Sequence, residues 1–326
     1  MLNEIPRPVE ISIYGSVTLF DHILHVPQLE TDNTTVFVKP IGTQAGLVRF
    51  GGCGANQAAA VAAIGGVVEL LGVVGDDFTT SGYSQHLDSL GVVTDRLEIV
   101  AGRSSGHSYL IHDRKGATFL IVEEGVATQS TPPVSADLAV SSQYLVLNMP
   151  FDELALDLAS LACERGTNVI LSGQVATASD ALRHDLLTRA KFLCCNRTEA
   201  RQIGFLTKSD VRSDRYPNIE CAWVTDGANG LTTYLPNGTA KPVPSVPAPG
   251  FVDATGAGDA VVAGVTGALA EGATLLEASR VGVTLASFVV EAVGCQESLP
   301  SVDEFLRRYE SHFGERPAWR AAQSGS

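Results

Sequence analysis

Short apolar runs alternate along this chain with longer segments whose apolar residues recur at helical spacing. The run "VEISIYG" (9–15) reads as a buried strand, and "GANQAAAVAAIGG" (54–66) as a helix whose small residues permit close packing. "VELLGVVG" (68–75) is again a strand, and "SGYSQHLDSLG" (81–91) a helix that stops at a glycine. The rhythm continues with strands "QYLVLN" (143–148), "NVILSG" (168–173), "KFLCCN" (191–196) and "CAWVTDG" (221–227). Between them lie the helical segments "DELALDLASLACERG" (152–166) and "DALRHDLLTRA" (180–190). Three more helices are predicted in the last third, over 258–272, 275–294 and 301–314. This alternation predicts an α/β fold: a mostly parallel central sheet with helices on both faces.

Two regions break the rhythm. Residues 23–46 and 106–125 read as hairpins, the second alternating apolar and polar positions around Asp113-Arg114-Lys115-Gly116. Together they predict a small β lid over one edge of the main domain. The lid segments are about 16–50 and 103–125 within one domain over 1–313, and 314–326 has little to bury and reads as a frayed tail.

Composition narrows the picture. The chain has 326 residues and is 45% hydrophobic, enough for one large packed domain. A formal net charge of −14 excludes a general nucleic-acid binder, which needs a basic face. No apolar run reaches the ~18 residues of a membrane span, and "MLNEIPRPVEISIYG" lacks the pattern of a signal peptide. The six cysteines have no C-x-x-C spacing and read as free thiols in a reducing compartment. A cytoplasmic protein is expected.

The chemistry is carried by "VDATGAGDAVVAGV" (252–265). The first turn of a helix has N–H groups without internal partners, and with the helix dipole these form an anion site. Glycines let an anion approach them without a Cβ in the way. Asp259, at the start of that helix, would then be a base beside a cradle made by the amides of Gly256, Ala257 and Gly258. Phosphoryl transfer to an alcohol needs that pair. A plain helix-capping aspartate is the alternative.

Taken with "FGGCGANQAAAVAAIGG" and "GVVGDDF", the stretch "DATGAGD" resembles the two signature regions of the ribokinase-like (phosphofructokinase B) carbohydrate and nucleoside kinases, and the resemblance runs from "GSVTLFDHIL" to "VGCQESLP". It implies the ribokinase-like three-layer fold and makes Asp259 the catalytic base. Asn196 and Glu199 of "CNRTEA" match the family's N-x-x-E motif, which holds the water shell of Mg²⁺ near the phosphates. Read locally, the same two residues form a helix cap with its capping-box partner. "VTDGANG" resembles the segment touching ATP phosphates, through Thr225, Gly227 and Gly230, and also reads as a hairpin turn. Asp21, Gly51, Gly52 and Asn56 match the family's acceptor site, where a carboxylate grips sugar hydroxyls. In many members two loops bind a monovalent cation such as K⁺; the matching residues are Asp253, Thr255, Val289, Ala292, Gly294 and Ser298. Lids of this type pair between subunits in the family, which points to a homodimer.

The departures lie mostly on the acceptor side. Cys53 stands where ribokinases carry a lysine, Asn148 of "LNMP" replaces a glutamate as an acceptor contact, and one extra residue separates Gly15-Ser16 from Asp21. Ala254 stands where threonine is frequent, and "EAVGCQE" looks somewhat like the ending of bacterial adenosine kinases. The resemblance implies ATP-dependent phosphorylation of a small sugar, on a hydroxyl expected to be primary, with a nucleoside acceptor as the alternative. Outside that class stands a non-catalytic sugar-binding regulator. The G-x-S-x-G at 102–106 precedes a strand pattern rather than the helix a nucleophile elbow needs, and position 57 is Gln where a dinucleotide fingerprint needs glycine. No Walker A sequence occurs.

Overall fold

A computed structural model describes residues 8–16, 18–26, 47–113, 118–128, 142–205 and 215–318. Its strands are β1 (Ile11–Tyr14), β2 (Thr18–Val26), β3 (Leu47–Gly51), β4 (Val68–Gly75), β5 (Leu97–Val100), β6 (Gly106–Asp113), β7 (Thr118–Glu123), β8 (Tyr144–Leu147), β9 (Asn168–Ser172), β10 (Phe192–Asn196), β11 (Cys221–Thr225), β12 (Leu231–Tyr234) and β13 (Ala240–Val243). The helices are α1 (Cys53–Ala63), α2 (Asp77–Thr80), α3 (Tyr83–Ser89), α4 (Glu153–Arg165), α5 (Asp180–Arg189), α6 (Arg197–Ile203), α7 (Ala257–Ala270), α8 (Leu275–Val289) and α9 (Val302–Phe313).

Nine strands form the main sheet in the order β13-β12-β11-β10-β9-β8-β1-β4-β5. All pairs are parallel except β11–β12 and β12–β13, which are antiparallel. The strands are apolar on both faces because both faces are covered. Ile11 and Ile13, Val146, Ile170, Phe192 and Cys194 point to one side, where α1, α7, α8 and α9 pack. Leu145 and Leu147, Val169 and Leu171, Leu193 and Cys195 point to the other, against α4, α5 and α6. The expected three layers are therefore present. α7 and α8 cross at glycines: a Cβ on Gly264 would lie 2.8 Å from the Cα of Gly282. This is why α7 carries a glycine in its interior, where helix propensity alone disfavours one.

A separate four-stranded sheet, ordered β3-β2-β6-β7, forms the lid. β6 and β7 are the antiparallel hairpin expected over 106–125, with β2 parallel to β6 and antiparallel to β3. Residues 27–46 of the first expected hairpin, the 114–117 turn of the second, and tail residues 319–326 lie outside the described residues. The extra residue before Asp21 has a structural counterpart. The register of β2 shifts between Thr18 and Asp21, a bulge that takes up one residue and re-aims the rest of the strand.

Several helix ends differ from expectation by two to five residues, two of them near the site. Gly82 adopts φ 88°, so the 81–91 segment becomes a helix only from Tyr83. α8 stops at Val289 instead of running to 294, and the carbonyl of Val290 accepts from the N–H groups of Val252 and Asp253. That pairing ties the two loops expected to hold a cation.

Candidate active site

The first-strand turn and the ends of β8, β9, β10 and β11 meet at the carboxyl edge of the sheet, where open α/β sheets bind ligands. A cavity of about 400 Å³ opens there, walled by Ser16, Asp21, Gly52, Cys53, Asn56, Asn196, Glu199, Thr225, Thr255, Gly256, Gly258 and Asp259, with the lid residues Leu110, Leu120 and Val122 above. Residues spread over more than two hundred positions of sequence thus share one wall.

Gly256 caps α7 at φ 79°, a left-handed conformation that glycine adopts without strain. A Cβ there would also come within 2.7 Å of Cys295 Sγ. Among the described residues the N–H groups of Gly256 and Gly258 meet no acceptor, and a Cβ on Gly258 would meet open space. The expectation for Ala257 needs correction. Its N–H donates to the carbonyl of Ala254 at 3.2 Å, because the chain closes a tight turn there before the helix begins. The cradle in this conformation has two amides, not three.

Asp259 lies in the first turn of α7 and faces the cavity. Gln57 Nε2 donates to its Oδ1 at 2.9 Å, and Asn56 Nδ2 approaches Oδ2 at 3.4 Å. Burial pushes its pKa up to about 6, against the pull of these two amides and of Cys53, while Glu199 adds to the rise. Asp21 sits in β2 and receives the Ser108 hydroxyl at 2.5 Å. Burial raises it to about 6 as well; the Ser108 bond opposes this, and the charges of Asp259 and Glu297 reinforce it. Gly51 leaves room for this carboxylate, since a Cβ there would lie 1.8 Å from Asp21 Oδ2. Cys53, in place of the lysine, is a neutral thiol. Burial and the neighbouring Asp259 hold its pKa well above the ordinary value, and Gln174 Nε2 donates to its sulfur at 3.0 Å.

Asn196 and Glu199 form the capping box that local reading allowed. Asn196 Oδ1 accepts the N–H groups of Thr198 and Glu199, each at 2.9 Å, and Glu199 Oε2 accepts the N–H of Asn196 at 2.8 Å. Both still line the cavity, so the cap holds in place the carboxylate through which hydrated Mg²⁺ would be held. Burial raises the pKa of Glu199, opposed by the Asn196 N–H. Gly227 and Gly230, at the turn between β11 and β12, stand outside the cavity wall.

Asn148 is the second correction. It is fully buried, absent from the wall and paired twice with Gln57: Nδ2 donates to Gln57 Oε1 and Oδ1 accepts from Gln57 Nε2, both at 2.9 Å. It therefore braces the amide that holds Asp259 and does not reach a ligand. Gly51 is likewise behind the wall, its carbonyl accepting the Tyr83 hydroxyl at 2.8 Å. Gln57 and Gln296 were missed in the sequence. Gln57 lies one residue past the recognised Asn56, and only its place on the buried face of α1 could have marked it.

The residues expected to bind a monovalent cation cluster behind Gly256. Thr255 donates from its hydroxyl and its N–H to Asp253 Oδ1, at 2.9 and 3.1 Å. Ser298 Oγ donates to the carbonyls of Phe288 and Val289 at 2.7 and 3.2 Å. Gly294 bends the second loop at φ 107°, with Ala292 half-buried before it. A buried carboxylate and the hydroxyls of Thr255 and Ser298 are hard oxygen donors of the kind such an ion takes.

Comparison with known proteins agrees with this frame. The pfkB family carbohydrate kinase model matches residues 10–302. The nucleoside kinase of Methanocaldococcus jannaschii is 26% identical over 298 residues, covering 90% of this chain and 95% of that one. Its crystal structure superposes with a TM-score of 0.80 over 94% of this chain and 99% of its own. The ribokinase of Bacillus subtilis is 30% identical over 260 residues, covering 78% and 85%. The fold is also that of Burkholderia thailandensis nucleoside kinase in complex with inosine, with a TM-score of 0.84, 20% identity, and coverage of 94% and 99%. The chain belongs to the pfkB family of carbohydrate kinases. It is an ATP-dependent carbohydrate or nucleoside kinase.

Proposed function

We propose that this kinase transfers the γ-phosphoryl group of ATP to the primary hydroxyl of a nucleoside. The observation that carries the acceptor class is an apolar shelf beside a polar floor. Asp21 and Asn56 offer hydrogen-bonding groups suited to a ribosyl moiety, while Leu110, Leu120, Val122, Met149 and Pro150 line the adjoining wall. Leu120 and Val122 are 52% and 46% exposed, apolar surface facing a cavity that a planar base would cover. A free sugar, polar on every side, leaves that shelf against hydroxyls. The nucleoside kinase relatives support the same reading.

Asp259 would take the proton from the acceptor hydroxyl as its oxygen attacks the γ-phosphorus in line. The amides of Gly256 and Gly258 meet the charge on the transferring group. Among the described residues no lysine or arginine lines the cavity; Glu199 and Asn196 would hold the water shell of the Mg²⁺ carried with ATP, which would supply the remaining positive charge. Thr225 would border the nucleotide phosphates, with Gly227 and Gly230 shaping the turn behind it. K⁺ between the loops of Asp253 and Ser298 would steady the Gly256 turn. Closure of the lid would exclude water.

An ADP-release screen over nucleosides, pentoses, hexoses and keto-sugar acids, with and without K⁺, tests the acceptor. Inosine or another nucleoside is expected to give the highest kcat/KM. Val122→Ser is expected to raise the nucleoside KM about tenfold, the loss of one apolar contact, and to leave any ribose turnover unchanged. Preference for ribose, with no response to Val122→Ser, would return the assignment to a sugar kinase. A blank panel would favour a binding protein.

The lid's outward face supports pairing of two copies. Pleating sends Phe119 and Ile121 away from the cavity, where they are 55% and 47% exposed beside Tyr109 and His22. Light scattering at micromolar concentration is expected to give twice the chain mass, falling to one chain mass for Ile121→Asp.

A further inference from the structure

His86 is on α3, outside the cavity wall, yet a line of buried amides joins it to Asp259. His86 Nε2 lies 2.9 Å from Gln296 Oε1. Gln296 Nε2 donates to Asn56 Oδ1 at 2.9 Å and to the Tyr83 hydroxyl at 2.8 Å. Asn56 Nδ2 then faces Asp259 Oδ2. Asn56 and Gln296 are 4% and 6% exposed and Tyr83 is fully buried, so water cannot replace a lost partner cheaply.

The direction of this line is dictated from both inner ends. An ionised carboxylate only accepts, so Asn56 must turn its NH₂ to Asp259 and its oxygen to Gln296. Tyr83 gives its single proton to the Gly51 carbonyl, so it must accept from Gln296. Both demands turn the Gln296 NH₂ inward and its oxygen outward. The outer partner must then donate, and His86 must carry a proton on Nε2.

We propose that His86 is a positioning residue for phosphoryl transfer: its Nε2–H locks Gln296, and through it Asn56, in the orientation that presents an N–H to Asp259. A side chain without a donor at 86 leaves the Gln296 oxygen unpaired in the interior. Flipping that amide instead would break both inner bonds. The groups that bear on Asp259 are Glu199, Cys53, Asp21 and Cys295, and the charge facing His86 is Glu297, itself paired with Arg49 at 3.0 Å. None of these belongs to the line, so substitutions within it leave them in place.

This inference rests on the reading of Asp259 as the base, and its test does not need turnover. The carboxyl carbons of aspartate are labelled with ¹³C and followed by NMR against pH, the Asp259 signal being identified by its loss in Asp259→Asn. In His86→Leu the Asp259 midpoint is expected to rise by about half a pH unit, the share of one weak bond to the carboxylate. His86→Gln lacks the ring that packs 5.4 Å from Phe50 but keeps a donor, and is expected to restore the midpoint. Gln296→Met cuts the line at its middle and carries the same expectation as leucine at 86, so a His86→Leu chain that does not fold still leaves a decisive measurement. An unmoved midpoint in the folded variants, or one raised equally by His86→Gln, overturns the role of His86. If Asp259→Asn keeps full turnover, the base assignment falls and the coupling measured by NMR stands apart from it.

Discussion

Asp259→Asn is expected to lower kcat by ~10²–10⁴ while the KM for ATP stays within about twofold, the effect of removing the proposed general base without touching nucleotide binding. Asparagine keeps an oxygen for Gln57 and nearly the same volume, and gives up only the long 3.4 Å contact from Asn56, so the main loss is one of proton acceptance. The wild-type pH profile carries the same information. Asp259 and Asp21 are both raised to about 6, and both must be ionised for the proposed chemistry. Activity therefore falls as pH drops through about 6, roughly two units above an ordinary aspartate. The stability effect has the opposite sense. A carboxyl whose folded pKa is raised above its unfolded value supports folding below the unfolded pKa, and that support is lost as pH rises through about 6. At pH 8 the ionised Asp259 destabilises the fold, by ~1–3 kcal/mol once its partial exposure is allowed for. Asp259→Asn is thus expected to melt at a higher temperature than wild type at pH 8 and at the same temperature near pH 4. Loss of turnover together with gain of stability marks a functional group held in an unfavourable setting. Unchanged kcat would remove Asp259 from the role.

Much of this arrangement is legible in the chain. The short, nearly continuous apolar runs of β1, β8, β9 and β10 announce strands, and their lack of a polar face announces a covered sheet. The Gly256–Asp259 turn announces a helix start with bare backbone, the local feature from which an anion cradle is proposed. Three things are not legible, for physical reasons. The Ala257 amide is lost to Ala254 because a turn's internal hydrogen bond depends on dihedral angles that small residues leave open. Asn148 turns away from the ligand because its partner, Gln57, lies 91 positions distant, and pairing of two amides leaves no trace in either segment. Gln296 is joined to His86 across 210 positions by the same kind of contact. Buried polar networks follow from three-dimensional register, whereas helices and strands follow from local period.

The second large effect is expected at Asp21. Its carboxylate lies in the lid sheet, brought over the cavity by the bulge after Thr18 and fixed by Ser108 on the neighbouring strand. Two oxygens on a nearly buried carboxylate can accept from two vicinal hydroxyls, and hydrogen bonds to a charged group are worth ~1.5–3 kcal/mol each. Asp21→Ala is therefore expected to raise the acceptor KM about 10²-fold and to change kcat and the KM for ATP far less. Ser108→Ala, which frees one carboxylate oxygen without removing it, is expected to fall between the two. The contrast with Asp259 is the point of the pair: both carboxylates sit in one cavity with similar pKa values, and their burial alone does not distinguish a base from a binding group. Location separates the two proposed roles, since one is on a helix start beside the Gly256 and Gly258 amides and the other on a lid strand bordering the same cavity. If Asp21→Ala altered only the ATP dependence, the lid carboxylate would belong to the nucleotide and the acceptor would have to lie elsewhere on the wall.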